Sequence, residues 1–204
     1  PAGWRPSFGQ IGVGQVQLTP FNIDTGDLFL FFGLFRQTEL VQNKVQFIRE
    51  ARPFHGLFAW LRVGEIITLE NSAKLNDALT RHPWLATHPH VTDQVHWRSK
   101  VCRNGANTLY LSAEGPMGAG LFKHSDATRL TAEGQRVSLW RTFPWLGRHR
   151  NLKFSRCADP ARLQHSNGLL DTHAGRWQEL VVNSANYPEV SAWADELTQA
   201  HTLS

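Results

Sequence analysis

Apolar and polar positions along the chain alternate or cluster in short runs, and they predict mostly strands. The clearest run, Leu28–Phe35, is continuously apolar and aromatic between a Thr25-Gly26-Asp27 turn and Arg36, which predicts a buried strand. A second strand is expected at residues 45–48 and, after Arg52-Pro53, a third at residues 57–69, where Gly64 midway predicts a bulge or sharp bend. Asn107–Ser112 returns to strand character, the turn-rich 114–120 follows, and Leu121-Phe122 starts a further short strand. Residues 137–141 and 177–182 read as extended.

Helical signals are fewer. Residues 72–79 suit a short helix capped by Ser72, whereas the stretch from His82 to His90 is broken by Pro83 and Pro89 and is expected to be an ordered loop. Pro188 opens a helix that sets Val190, Trp193, Ala194 and Leu197 on one side. The opening Phe8-Gly9-Gln10-Ile11-Gly12-Val13-Gly14-Gln15 spaces its glycines as a loop would, and residues 151–173 show little periodicity. Short strands with few helices, not in alternation, give an α+β class: a curled, mainly antiparallel sheet or barrel with a C-terminal helix. No linker or repeat divides residues 1–204, so one domain is expected.

Composition narrows the class of function. Of 204 residues 41% are hydrophobic, with 8 Trp and 12 Phe, enough to build a packed core. Lys and Arg number 21 against 17 Asp and Glu, a modest excess that permits contact with phosphates without demanding it. The densest basic stretch holds Arg136, Arg141, Arg148, Arg150, Lys153 and Arg156 with Trp140, Phe143, Trp145 and Phe154 interleaved, and it reads equally as a phosphate-binding loop or as a surface loop anchored by aromatics. Two distant cysteines, Cys102 and Cys157, indicate neither a disulfide framework nor a zinc motif, and a reducing cytoplasmic setting fits. No apolar run reaches the length of a membrane span. The chain opens on Pro1 without a signal-peptide pattern, so either an initiator has been removed or an N-terminal portion precedes it.

Candidate chemistry is scattered. The ten histidines include His82, His88, His90 and His96. His88-Pro89-His90 lacks the H-E-x-x-H of a zincin, though a His-x-His pair on extended backbone could still share a metal. There is no G-x-S-x-G elbow and no G-x-x-x-x-G-K-[ST] loop, and the glycines at 9, 12 and 14 are in the wrong order for a dinucleotide fingerprint. Gln10, Gln15 and Gln17 stand beside those glycines, and an amide supplies the donor and acceptor that reading a base edge requires. His55, Asn107 and Tyr110 could line the same cavity if the sheet closes, with an aromatic platform drawn from Trp4, Phe8, Trp60, Trp97, Trp140 and Trp145.

Phe8-Gly9-Gln10, the Gly26–Arg36 strand, Gly118-Ala119-Gly120 and Gly175-Arg176-Trp177-Gln178-Glu179, in that order, resemble the nucleotide-modification-associated domain 3 family. His55 with residues 58–64, His88-Pro89-His90, residues 107–110, Leu130-Thr131, residues 138–140 and Pro144-Trp145 extend the resemblance over most of the chain. It implies a role connected with nucleotide modification in DNA. The Gly-Asp strand and the strand ending in Val63-Gly64-Glu65-Ile66 are also similar to PUA, ASCH and EVE domains, small β-barrels that grip modified or flipped bases. The resemblance further implies an N-terminal segment ahead of this chain, and His where Gln17 stands here.

Three readings follow. In the first, a pocket accepts a modified or extruded base, Gln10, Gln15, His55, Asn107 and Tyr110 contact it, and Arg148, Arg150, Lys153 and Arg156 meet phosphates of a nucleic acid, DNA foremost. In the second the chain is an enzyme acting on nucleotides or DNA bases, with His55, His88 or His90 as acid-base groups or metal ligands. In the third, exposed aromatics dock a partner chain or the N-terminal segment. None of the three calls for a cofactor.

Overall fold

The most deeply buried segment is Asn107–Ser112, every residue of which is buried. It forms a strand with neighbours on both edges in a computed structural model that describes residues 2–92, 107–143, 169–172 and 181–203. The elements in chain order are β1 (Ser7–Ile11), α1 (Val13–Leu18), β2 (Leu28–Phe35), β3 (Thr38–Val41), β4 (Lys44–Phe47), β5 (Phe54–Thr68), α2 (Ser72–Arg81), α3 (Pro89–Thr92), β6 (Asn107–Ser112), β7 (Ala119–Leu121), β8 (Leu139–Trp140), β9 (Leu170–Asp171) and α4 (Pro188–His201). Hydrogen-bonded neighbours follow the order β1-β6-β5-β2, with β7 also on β5, while β3-β4 and β8-β9 form separate two-stranded sheets. The class is α+β with antiparallel sheets, and among the described residues the sheet stays open and does not close into a barrel.

The chain forms two compact units: Pro1–Phe29 with Trp60–Gly120, and Leu30–Ala59 with Leu121–Ser204. In the first, β6 pairs antiparallel with β1, Phe8 facing Tyr110 and Gln10 facing Thr108, and with the C-terminal part of β5, Ile66 facing Tyr110. The register slips between Val63 and Glu65, the bulge expected at Gly64. A β-carbon there would lie 2.5 Å from the Ala113 Cα, so only glycine lets the two backbones meet. Ile67, Leu69, Ala78, Trp84, Leu85, Leu109 and Leu111 form the core of this unit, with Leu75 and Leu79 of α2 packed on it.

Three local expectations are corrected here. The cap of α2 is Asn71, whose side chain accepts the Lys74 N–H at 3.1 Å, and Ser72 is already helical. Residues 82–90 are not a loop. Pro83 begins a 3-10 turn, Pro83–Thr87, and Pro89 begins α3, because proline lacks only an N–H that a first helical turn does not use. The glycine-spaced opening is strand and helix, with the change of direction taken at Gly12, whose φ is 60°.

In the second unit β2, from Leu30, lies beside the N-terminal part of β5. It is less buried than its composition predicts, Leu34 being 65% and Phe35 39% exposed. The expected second strand is β4, and its partner β3 completes a hairpin turned by Gln42 and Asn43, both at positive φ as primed two-residue turns require. The expected strand near residue 121 is β7 and that near 139 is β8. Helix α4 starts at Pro188 and buries Ala194 and Leu197, with the Trp193 ring tilted against Phe143 at a centroid distance of 4.9 Å. Among the described residues no helix is long and apolar enough to cross a membrane. Most of the expected strand at 177–182, the aperiodic stretch, both cysteines, His96, Trp97, Trp145 and the phosphate candidates Arg148, Arg150, Lys153 and Arg156 lie outside the described residues.

Candidate functional site

Residues opposite one another in an antiparallel pair share a face, and successive residues alternate faces. The register of β1 on β6 therefore divides the candidate residues. Phe8 and Gln10 share one face with Thr108 and Tyr110, and Gly9 and Ile11 share the other with Asn107 and Leu109.

On the first face α1 lies against the sheet. The Tyr110 hydroxyl donates to Gln15 Oε1 at 3.1 Å, both side chains being buried. Burial pushes the phenol up, and the Gln15 hydrogen bond offsets part of that rise. Phe8 stacks on Tyr110 with centroids 6.0 Å apart, and Phe29 meets both rings edge-on or tilted at about 5 Å. The Gln10 amide rests on Gly14, where a β-carbon would lie 2.7 Å from Gln10 Oε1. Gly14 is thus the space that Gln10 occupies.

The second face gathers histidines. His90 Nδ1 lies 2.9 Å from Asn107 Oδ1, and Asn107 Nδ2 donates to the His90 carbonyl at 3.2 Å. An amide oxygen can only accept, so His90 carries its proton on Nδ1 and presents Nε2 as a lone pair. The His90 backbone N–H donates to His88 Nδ1 at 3.1 Å, which places the proton of neutral His88 on Nε2. The two rings stand 5.5 Å apart. Burial first, and His90 second, hold His88 below the ordinary imidazole range and so favour that neutral form. Gly9 is the floor: a β-carbon there would come within 2.6–2.8 Å of Cδ2, Nε2 and Cε1 of the His90 ring, so the Nε2 end of the ring lies against the glycine. Both imidazoles are half-buried, and among the described residues neither Nε2 is engaged by another group. The pair thus carries one donor, His88 Nε2–H, and one acceptor, His90 Nε2, on rings whose centroids are 5.5 Å apart.

Gln10, Gln15, Asn107 and Tyr110 therefore belong to one three-stranded ribbon and its helices but to two faces of it. His55 is elsewhere in the chain division, in the second unit. There its Nδ1 accepts the Trp140 indole N–H at 3.0 Å, its backbone N–H donates to the Thr131 hydroxyl, and the Phe32 and Trp140 rings stand edge-on to it. Burial holds its pKa low. That is the environment of a core histidine. Among the described residues no three His, Cys, Asp or Glu side chains gather as a metal site, so His88 and His90 have no third ligand there.

Sequence reasoning missed one polar hub. Glu65, just past the bulge, accepts from Arg5 at 2.7 Å, from Arg81, and from His82 Nε2 at 2.9 Å. Burial pulls its carboxyl upward, but Arg81, His82 and Arg5 outweigh it and hold the group below the usual carboxylate range. Only the bulge at Gly64 hinted that Glu65 would be turned toward α2.

The family model described as nucleotide modification associated domain 3 matches residues 1–183. The chain belongs to this family. No curated protein and no solved structure matches it. Within the nucleotide-modification-associated domain 3 region lie both faces of the ribbon, the His88/His90 pair and the His55 environment, whereas all of α4 follows it.

Proposed function

We propose that this chain handles nucleotide bases in the context of nucleotide modification, and that the base is contacted by the His88/His90 pair on the Asn107 face. The observation that carries this reading is the Asn107 clamp. By using both ends of its amide on one histidine, it fixes a lone pair on His90 Nε2, and with the N–H of the neighbouring His88 ring this supplies an acceptor and a donor, the two functions that a base edge matches. Family membership supplies the theme of nucleotides, and the geometry supports recognition. In this reading Gln10 flanks the other face, Gln15 and Tyr110 serve to seat α1, and Arg148, Arg150, Lys153 and Arg156 contact phosphates of a DNA strand in a cytoplasmic setting.

The test is a calorimetric titration of the chain with deoxynucleoside monophosphates, unmodified and base-methylated. At least one should bind, and His90→Ala should weaken it about tenfold or more, the worth of one paired base contact. Equal binding by wild type and His90→Ala would remove the pair from the site.

A second reading is favoured by the same clamp. A histidine oriented by a third group with its other nitrogen unclaimed is the arrangement of a general base. Were the chain an enzyme on bases, mass spectrometry of a DNA or nucleotide substrate would reveal a product, and Asn107→Ala would abolish it. Elemental analysis with the double variant His88→Ala, His90→Ala tests metal chemistry at the pair.

A further inference from the structure

The second unit carries a surface that the base-handling reading leaves unused. Alternate residues of β2 (Phe31, Gly33, Phe35) and of the N-terminal part of β5 (Phe54, Gly56, Phe58) turn to one face of the sheet, shown by ring contacts of Phe58 with Phe31 at 6.3 Å and with Phe35 at 6.2 Å. The Phe35 ring lies across both glycines. A β-carbon at Gly33 would sit 3.3 Å from its Cε2, and one at Gly56 3.6 Å from its Cδ2. A β-carbon at Gly33 would push the ring by a few tenths of an ångström and one at Gly56 would meet it at ordinary contact distance, so the ring packs closely over both glycines. Phe35 and Phe58 are 39% and 42% exposed, a large fraction for phenylalanine.

A guanidinium and an imidazole border this face. Arg129 bridges antiparallel to Gly56 and therefore points to the same side, with its guanidinium 4.7 Å over the Phe54 ring, and His124 lies 5.2 Å from Phe54. The charge of the chain is also divided unequally. Counted along the sequence, the first unit holds 7 basic and 7 acidic residues and the second 14 and 10, so the whole excess of 4 belongs to the unit that bears the exposed rings.

We propose that the Phe35/Phe58 face is a stacking platform for single-stranded nucleic acid. Each exposed ring takes one unpaired base, and Arg129 lies where the strand's phosphates pass. Flat rings on a glycine floor accept any base, because every base has a π-face, and a positive unit holds the backbone. A protein partner would be served as well by leucine at these positions, whereas a base needs the ring. That difference decides the test. The site is separate from the His88/His90 pair, so either can fail while the other stands.

Fluorescence anisotropy of the full chain with short labelled oligothymidylate, oligouridylate and a duplex of equal length, at low and at physiological salt, reads the platform directly. The single strands should bind in preference to the duplex and weaken as salt rises. The double variant Phe35→Leu, Phe58→Leu should lose about tenfold or more in affinity, the effect of removing stacking rings, with the same circular dichroism and melting temperature as wild type. Photocrosslinking of a bromouracil-substituted strand to the peptides containing Phe35 or Phe58 gives the same answer without a variant. Failure of the wild-type chain to bind either single strand, or equal binding by the leucine variant, overturns the proposal. So does self-association that the leucine variant retains without any oligonucleotide binding, which would make the face a protein interface.

Discussion

Two amide-to-ring pairs sit on opposite faces of the β1–β6 ribbon, and they differ in what they leave over. In the Gln15–Tyr110 pair the amide oxygen and the hydroxyl engage each other and both side chains are buried. In the Asn107–His90 pair the amide is wholly buried and uses both ends on its partner, yet the partner's second nitrogen faces away from the clamp. The pairs draw attention in the sequence for different reasons, Gln15 as an amide beside glycines, Asn107 and Tyr110 as strand residues able to line a cavity, and His90 as half of a His-Pro-His. The structure separates them by what the amide holds: in one pair its oxygen takes the tyrosine hydroxyl of a buried contact that seats a helix, in the other both its ends hold a half-exposed imidazole. Burial of a polar group is therefore no guide to function until its spare hydrogen-bonding capacity has been counted.

The largest test of this contrast is Asn107→Ala. It strips a fully buried amide of both its bonds to His90, so a loss of about 2–3 kcal/mol in chemical denaturation is expected, together with loss of nucleotide binding. Asn107→Asp retains an acceptor for Nδ1 but no donor for the His90 carbonyl. It should therefore weaken nucleotide binding less than Asn107→Ala does, because the Nδ1 bond that orients the ring is kept. A purely structural Asn107 would show the stability loss of Asn107→Ala with nucleotide binding as in wild type.

Tyr110→Phe is the matching change on the other face and should cost less. It leaves Gln15 Oε1 without the hydroxyl, for about 1–2 kcal/mol by thermal or chemical denaturation, and it should leave nucleotide affinity as in wild type. A loss of binding comparable to that of His90→Ala would show that the closed pair also meets ligand, and the distinction between the faces would fall.

How much of this was legible beforehand depends on how local each cause is. The Leu28–Phe35 strand, the bulge at Gly64 and the helix from Pro188 follow from composition and spacing within a few residues, and all three are present. The hairpin partner β3 was not foreseen, since Gln42-Asn43 adopts positive φ without the Asn-Gly signature that marks such turns. The opening glycines read as a loop because their reason is distant in sequence: Gly9 makes room for the ring of His90, on a helix that two prolines disguise. Gln10, Gln15, Asn107 and Tyr110 could be singled out as polar groups near strands and glycines. Their division between two faces rests on the pairing of Gln10 with Thr108 rather than with either neighbour, and a one-residue slip would reverse it. Nor does any local pattern reveal that His55 meets Trp140, a contact made across the long connection between β5 and β8.

The smallest expected effect is in acid. His88 and His55 are both held below 6.5, each mainly by burial, so in the folded chain they resist protonation while the unfolded chain takes protons up as pH falls through 6.5. Their contribution to stability is accordingly intact above 6.5 and declines below it until the folded pKa values are reached. Each histidine should add a separate portion to that decline, for His88 through loss of the bond from the His90 N–H to Nδ1, and for His55 through loss of the Trp140 indole bond. Denaturation curves at a series of pH values would show the slope flattened in His88→Gln, by less than the whole effect of Tyr110→Phe. Nucleotide binding should fall over the same acid range in wild type, as protonation of Nδ1 turns His88 away from the His90 backbone and disorders the donor and acceptor pair. A binding profile that stays level through that range while stability declines would assign the acid response to His55 alone, and leave the His88 ring as packing beside the site.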